Sequence, residues 1–245
     1  MHDRPDVRPD AKLVQTEDLG KAFGTPLLSY QAELENERRW LSLDLLCGRV
    51  DPHHPWHEIL ISSGIRQEEL ELFREADAAP DIIGINHYLT SERFLDETLD
   101  RYPEWSHGGN PVHRYADVEA VRMDLPAGTL GPRAHVSEAR DRYERPIVVT
   151  EAHHGSTRDE QVRWLMEVWG AAEELRAAGQ DIRAVTVWSL FGAVDWNSLL
   201  IQKSGLLLRA GRLRHPRPAS APNRNRHSRR LTGKDRSVRP SGPRP

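Results

Sequence analysis

A chain of 245 residues with 38% apolar side chains is long enough to enclose a substantial core. No apolar run reaches the roughly 18 residues of a membrane span, and the start MHDRPDVRPD lacks the apolar centre of a secretory signal, so a cytoplasmic protein is expected. The net charge of -3 averages two unlike regions: residues 209–245 hold 12 of the 34 Lys and Arg and one acidic residue, leaving residues 1–208 with 22 basic and 36 acidic side chains. A body that acidic gives no support to nucleic-acid binding and suits a polar cleft for a neutral substrate.

Pro5 and Pro9 leave no room for a regular element at the start. Leu13 and Val14 then open a short strand that ends in Gln15, Thr16, Glu17 and Asp18. Thr25 followed by Pro26 is a helix start, and the pattern Leu28, Leu34, Trp40, Leu41, Leu45 runs to a stop at Gly48, with ELENERR as its solvated, ion-paired face. Cys47, alone in the chain and set in LSLDLLCG, reads as a packed small hydrophobe rather than a nucleophile. Residues 51–57, DPHHPWH, crowd three histidines beside Asp51, but two prolines make a loop of them and no second cluster sits at ligand spacing, so no metal is expected.

Gln67–Ala76 reads as a polar helix. DIIGINHYLT is a strand expected to be covered on both faces, with Gly84 allowing close packing and Asn86, His87 and Tyr88 at its end. Residues 96–135 show no period and read as a long irregular connection with one short helix. A helix over Ser137–Tyr143 leads into Ile147, Val148 and Val149, a strand that delivers Thr150 and Glu151 at its carboxyl end, where barrel enzymes keep their chemistry. Thr157 with Glu160 forms a capping box for the helix carrying Val162, Leu165, Met166, Trp169, Ala172 and Leu175, and Gly179 stops it. A further strand, Ala184–Leu190, presents Trp188 and is followed by Asp195 and Trp196, so strand, helix and strand make one βαβ unit with parallel strands. From Arg209 six prolines and scarce large apolar residues predict a disordered tail. Without interleaved aromatics or an amphipathic face it does not favour a nucleic-acid or membrane tether, and its Arg/Pro-rich text also fits a shifted reading frame, which resequencing decides.

DIIGINHYLT, RPIVVTEAHHG and VTVWSLFGAVDW resemble, in order and spacing, the last strand ends of family 1 glycoside hydrolases, the β-glucosidase-like (β/α)₈ barrels, whose motifs read approximately GINYY, ITENG and VWSLLDNFEW. The resemblance covers residues 10 to about 200. It implies an α/β fold in which residues 1–208 are the carboxyl-terminal half of such a barrel, strands five to eight, followed by the tail at 209–245. It also implies a retaining hydrolase of β-glycosides with no metal or organic cofactor. Glu151 then matches the family's nucleophile, Tyr88 the tyrosine that hydrogen-bonds it, and Asn86 a polar residue of the sugar subsite. Trp188 matches the floor beneath the sugar, and Asp195 with Trp196 a Glu and Trp pair that bind sugar hydroxyls. An aromatic face suits the apolar side of a pyranose, and carboxylates or amides satisfy its hydroxyls.

The departures are equally definite. The family's Asn and Gly after the nucleophile are Ala152 and His153 here, and its DNFE is Gly192, Ala193, Val194, Asp195. Shortening Glu to Asp draws the acceptor back by roughly 1.5 Å. VQTEDLG and DWNSLL also resemble a branch of these barrels fused to dTDP-4-dehydrorhamnose reductase-like domains, but no GxGxxG follows any strand of this chain. The family's acid/base lies in an NEP motif at the end of its fourth strand, and this chain has none. Glu17 and Asp18 end a different strand and make poor substitutes. The expectation is therefore a fragment inactive alone unless a partner supplies the other half barrel, with two exposed strand edges. The rival expectation is a non-catalytic carbohydrate-binding or regulatory module linked to sugar-nucleotide metabolism, and the plainest is an α/β domain with no sugar site.

Overall fold

The computed structural model describes residue 8, residues 10–76 and 78–189, and residues 193–194, 205 and 207–208. Asp195, Trp196 and the expected tail from residue 209 lie outside the described residues. In chain order the elements are β1 (Val14–Glu17), β2 (Ala22–Gly24), α1 (Ser29–Arg38), α2 (Leu41–Leu46), α3 (His57–Ser62), α4 (Gln67–Glu75) and β3 (Ile82–Tyr88). There follow β4 (Arg93–Asp96), β5 (His107–Gly109), β6 (Arg114–Glu119), α5 (Pro132–Tyr143), β7 (Ile147–His153), α6 (Arg158–Ala177), β8 (Ile182–Val187), β9 (Ala193–Val194) and β10 (Leu207–Leu208).

The apolar runs form a parallel sheet in the order β1-β3-β7-β8, each strand beside the next one in the sequence that joins it. This is the α/β arrangement expected, built as an open sheet; no closed barrel forms among the described residues. Alternate side chains of the two central strands, Ile83 and Ile85 on β3 with Ile147 and Val149 on β7, are buried against α5 and α6. Val136, Ala139 and Tyr143 of α5 and Trp164, Val168, Ala172 and Leu175 of α6 complete that core, with Leu43 and Trp40. Cys47 packs at its edge as expected.

The expectation that β3 is covered on both faces holds for one face only. Asn86 and Tyr88 are partly exposed on the other, where small and polar neighbours replace an apolar layer. Gly84 is needed there: a Cβ would stand 2.6 Å from Thr16 Cγ2 and 2.9 Å from Thr150 Cγ2.

Three further expectations are corrected. The helix expected from Thr25 to Gly48 is a 3₁₀ turn (Pro26–Leu28) and two helices broken at Arg39 and Trp40. The break buries Trp40 against Tyr143 and lets the Arg39 guanidinium donate to the Leu19 carbonyl and Glu138. Residues 51–56 form the expected loop, but His57, the last residue of DPHHPWH, opens a helix, α3. Residues 96–135 are not mainly irregular: β4, β5 and β6 join β2 in a second sheet, ordered β2-β4-β6-β5. Its strands are three to six residues long and cross-linked by charge, Arg93 to Asp117 at 2.7 Å, so neither length nor alternation announces them. The capping box of α6 forms as expected, the Thr157 N–H donating to Glu160 at 3.0 Å.

Candidate functional site

At the carboxyl end of β3, residues Asn86 and Tyr88 share one face because side chains alternate along a strand. Regular pairing with β7 would set Glu151 opposite His87, on the buried face. The register instead jumps from Ile85 opposite Val149 to Asn86 opposite Glu151, so Thr150 is an extra, bulged residue. Thr150 and Glu151 consequently point the same way: Thr150 Oγ1 donates to Asn86 Oδ1 at 2.7 Å, and the Tyr88 hydroxyl donates to Glu151 Oε2. Burial first, and then the bond and charge of Glu151, push the Tyr88 hydroxyl far above its ordinary range, so it stays a proton donor.

Trp188 follows β8, its N–H donating to the Ala152 carbonyl at 3.3 Å, and its peptide bond to Ser189 is cis. His153 stands between the two aromatic side chains. Its ring meets Trp188 edge-on at 5.3 Å and Tyr88 at 6.3 Å between centroids. Burial holds the His153 imidazole below its ordinary range, against a hydrogen bond that the ring donates to the Trp188 backbone, which works the other way. The structure thus brings together Asn86, Tyr88, Glu151 and Trp188 along three adjacent strand ends. His153 entered the sequence reading only as a departure from a glycine, and a ring of that size at that place is its signal.

The nearby acids differ in engagement. Glu17 accepts from Gln15 at 3.1 Å. The Asp18 carboxylate accepts from Ser91 Oγ and the Gly20 N–H, each at 2.9 Å. Burial raises the Asp18 carboxyl, those hydrogen bonds oppose the rise, and the charge of Glu151 adds to it, which places the two acids within electrostatic reach. A concavity of about 370 Å³ between the start of α5 and α6 is lined by Pro132, Arg133, Met166 and Glu174 among others, none of them at Glu151.

Two of the three histidines of DPHHPWH go to structural partners, His54 to Asp44 and His57 to Gln67, both at 3.2 Å. Among the described residues a different set, His87, Glu92 and His135, gathers side chains that could ligate a metal. Separated by four and by 42 intervening residues, they have no motif spacing for a sequence to display.

No family model matches the chain, and no curated protein does. Solved structures do. A β-glucosidase from Thermotoga maritima in complex with galacto-hydroximolactam aligns at a TM-score of 0.51 and 15% identity, over 77% of this chain and 47% of the enzyme. The same enzyme in complex with methyl acetic acid-substituted glucoimidazole aligns at 0.50 and 16%, over 74% and 41%. A β-glucosidase from Exiguobacterium marinum aligns at 0.51 and 16%, over 76% and 44%. The chain therefore spans less than half the length of these enzymes, and at such identities the likeness is one of fold.

Proposed function

We propose that the four parallel strands are the fifth to eighth of a β-glucosidase-like (β/α)₈ barrel and that their carboxyl ends hold the sugar of a β-glycoside. The observation that carries this reading is the bulge at Thr150, which aims Glu151 into hydrogen-bond contact with Tyr88 beside an aromatic edge. In this reading Glu151 attacks the anomeric carbon and forms a covalent glycosyl-enzyme, and Tyr88 orients the carboxylate. Trp188 stacks on the sugar, while Asn86 with Asp195 and Trp196 take its hydroxyls. No metal or organic cofactor takes part in this chemistry.

A retaining mechanism needs a second carboxyl group about 5–5.5 Å away to protonate the leaving oxygen. Asp18 is already held by Ser91 and Gly20 and is not that acid. The missing group then belongs to the other half barrel, which pairs along β1 as a partner or as part of the same protein. A glycoside with an activated leaving group needs no protonation, so a 2-fluoroglycoside should label this chain even without the acid. Mass spectrometry should find the adduct on Glu151 and none in Glu151→Gln; absence of any adduct, and of any sugar-dependent change in tryptophan fluorescence, sinks the reading.

The engagement of Asp18 also favours a second reading, a carbohydrate-binding or regulatory module in which Glu151 only accepts sugar hydroxyls. Fluorescence changes at Trp188 without an adduct would select it. The link to dTDP-rhamnose metabolism and the cytoplasmic location rest on the sequence; no helix among the described residues is long and apolar enough to cross a membrane.

A further inference from the structure

The opposite face of β3 holds a second polar cluster, behind the sheet and independent of the sugar site. His87 is fully buried there, and neither its Nδ1 nor its Nε2 has a hydrogen-bond partner. A neutral imidazole needs a partner for one N–H and one lone pair, and leaving both unmet inside a protein is costly. Its neighbours are the ring of His135 at 4.8 Å and that of Trp164 at 5.3 Å between centroids. His135 donates from Nε2 to the Asp18 carbonyl at 2.8 Å, which fixes its tautomer and leaves the lone pair on Nδ1. Glu92, also buried, accepts from the Gly131 N–H at 3.1 Å. One ligand atom from each of the three lies within 4.8 Å of the others.

We infer that His87, Glu92 and His135 form a buried structural site for a divalent transition-metal ion of the zinc class. Two imidazoles and one carboxylate are borderline donors suited to zinc, and the Nε2 bond of His135 to a backbone carbonyl is the outer support that metal-bound histidines carry. Burial keeps both imidazoles in the neutral, ligating form, and a cation reverses the penalty on a buried carboxylate. Ligands of tetrahedral zinc stand about 3.3 Å apart at bonds of 2.0–2.1 Å, so the three groups close inward by up to about 1.5 Å on binding. The ion ties the end of β3, the turn after it and α5 together, and Tyr88 and Glu151 lie on the other face.

The test uses the whole chain without an affinity tag, loaded with zinc and desalted, with metal measured by mass spectrometry. About one zinc per chain is expected, falling by at least about tenfold in His87→Gln, Glu92→Gln and His135→Asn. His53→Asn, on the exposed histidine loop, should leave it unchanged. Zinc should raise the melting temperature and a chelator lower it. Should the variants fail to fold, X-ray absorption of the zinc-loaded wild-type chain reads the shell directly, two imidazoles with oxygen being the expected result. No retained metal with an unmoved melting temperature overturns the inference and leaves a buried water as the partner of His87. Zinc that persists in all three folded variants overturns it too, by placing the ion elsewhere.

Discussion

At Asp44 a carboxylate is wholly enclosed, and three partners keep it charged. Burial acts to raise its pKa, but hydrogen bonds from Arg142 and Tyr143, the charge of Arg142 and His54 outweigh it and hold the group below the ordinary carboxylate range. Asp44→Ala leaves the Tyr143 hydroxyl and a half-buried guanidinium without their acceptor and should cost about 3 kcal/mol in urea unfolding. His135 sets a pH dependence of the opposite origin. Burial lowers its imidazole to about 4, offset in part by the Asp18 carbonyl, among charges from Arg39, Glu138 and Lys21 and beside His87 and Glu92. The native state therefore binds its proton later than the unfolded chain. The stability this neutral form contributes is full above pH 6.5 and lost as pH falls toward 4, on the order of 3 kcal/mol by then. The raised carboxyls of Asp18 and Glu92 act in the other sense. Hence the metal-free wild type should be compared with His135→Asn by denaturation between pH 7 and 4, the variant showing the shallower fall.

Strands and helices with continuous signals were legible. β3 and β7 are β-branched runs ending in polar groups, and α6 carries its capping box and stripe openly. β2 and β4–β6 were not, because their strands are short and Tyr115 and Ala116 are buried consecutively, which breaks a period of two. The break at Trp40 follows from a tertiary partner, Tyr143, that lies 103 residues away and cannot be read locally. At the candidate site Tyr88, Glu151 and Trp188 were legible as polar or aromatic ends of apolar runs. The bulge was not, since register is decided between strands. Close packing at Gly84 gives the element-scale prediction. Gly84→Ala forces a methyl group against Thr16 and Thr150 and should destabilise by about 1–3 kcal/mol in chemical denaturation, while disturbing the Thr150–Asn86 bond next to the site.

Across the whole molecule the sheet is unfinished among the described residues. β1 pairs with β3 alone, and Leu13 and Val14 stand exposed there, 44% and 39% accessible. An open edge with apolar side chains recruits another strand. The chain should therefore sediment at micromolar concentration as more than a monomer, and Val14→Lys should shift it toward monomer; sedimentation velocity on both decides.

The one-residue irregularity at Thr150 makes the orientation of Glu151 a matter of counting. Removing Thr150 restores even alternation in β7 and leaves Glu151 opposite Asn86 on the face of Tyr88, whereas a strand of unchanged length that loses the bulge turns the carboxylate to the side where His87 and the helices lie. A related chain one residue shorter at this point keeps its glutamate beside the tyrosine without a bulge, and one of the same length with a regular strand keeps the glutamate in its text but loses it from that face. The pairing of residues 147–152 with β3 therefore tells as much about where the carboxylate points as the identity of the acid itself.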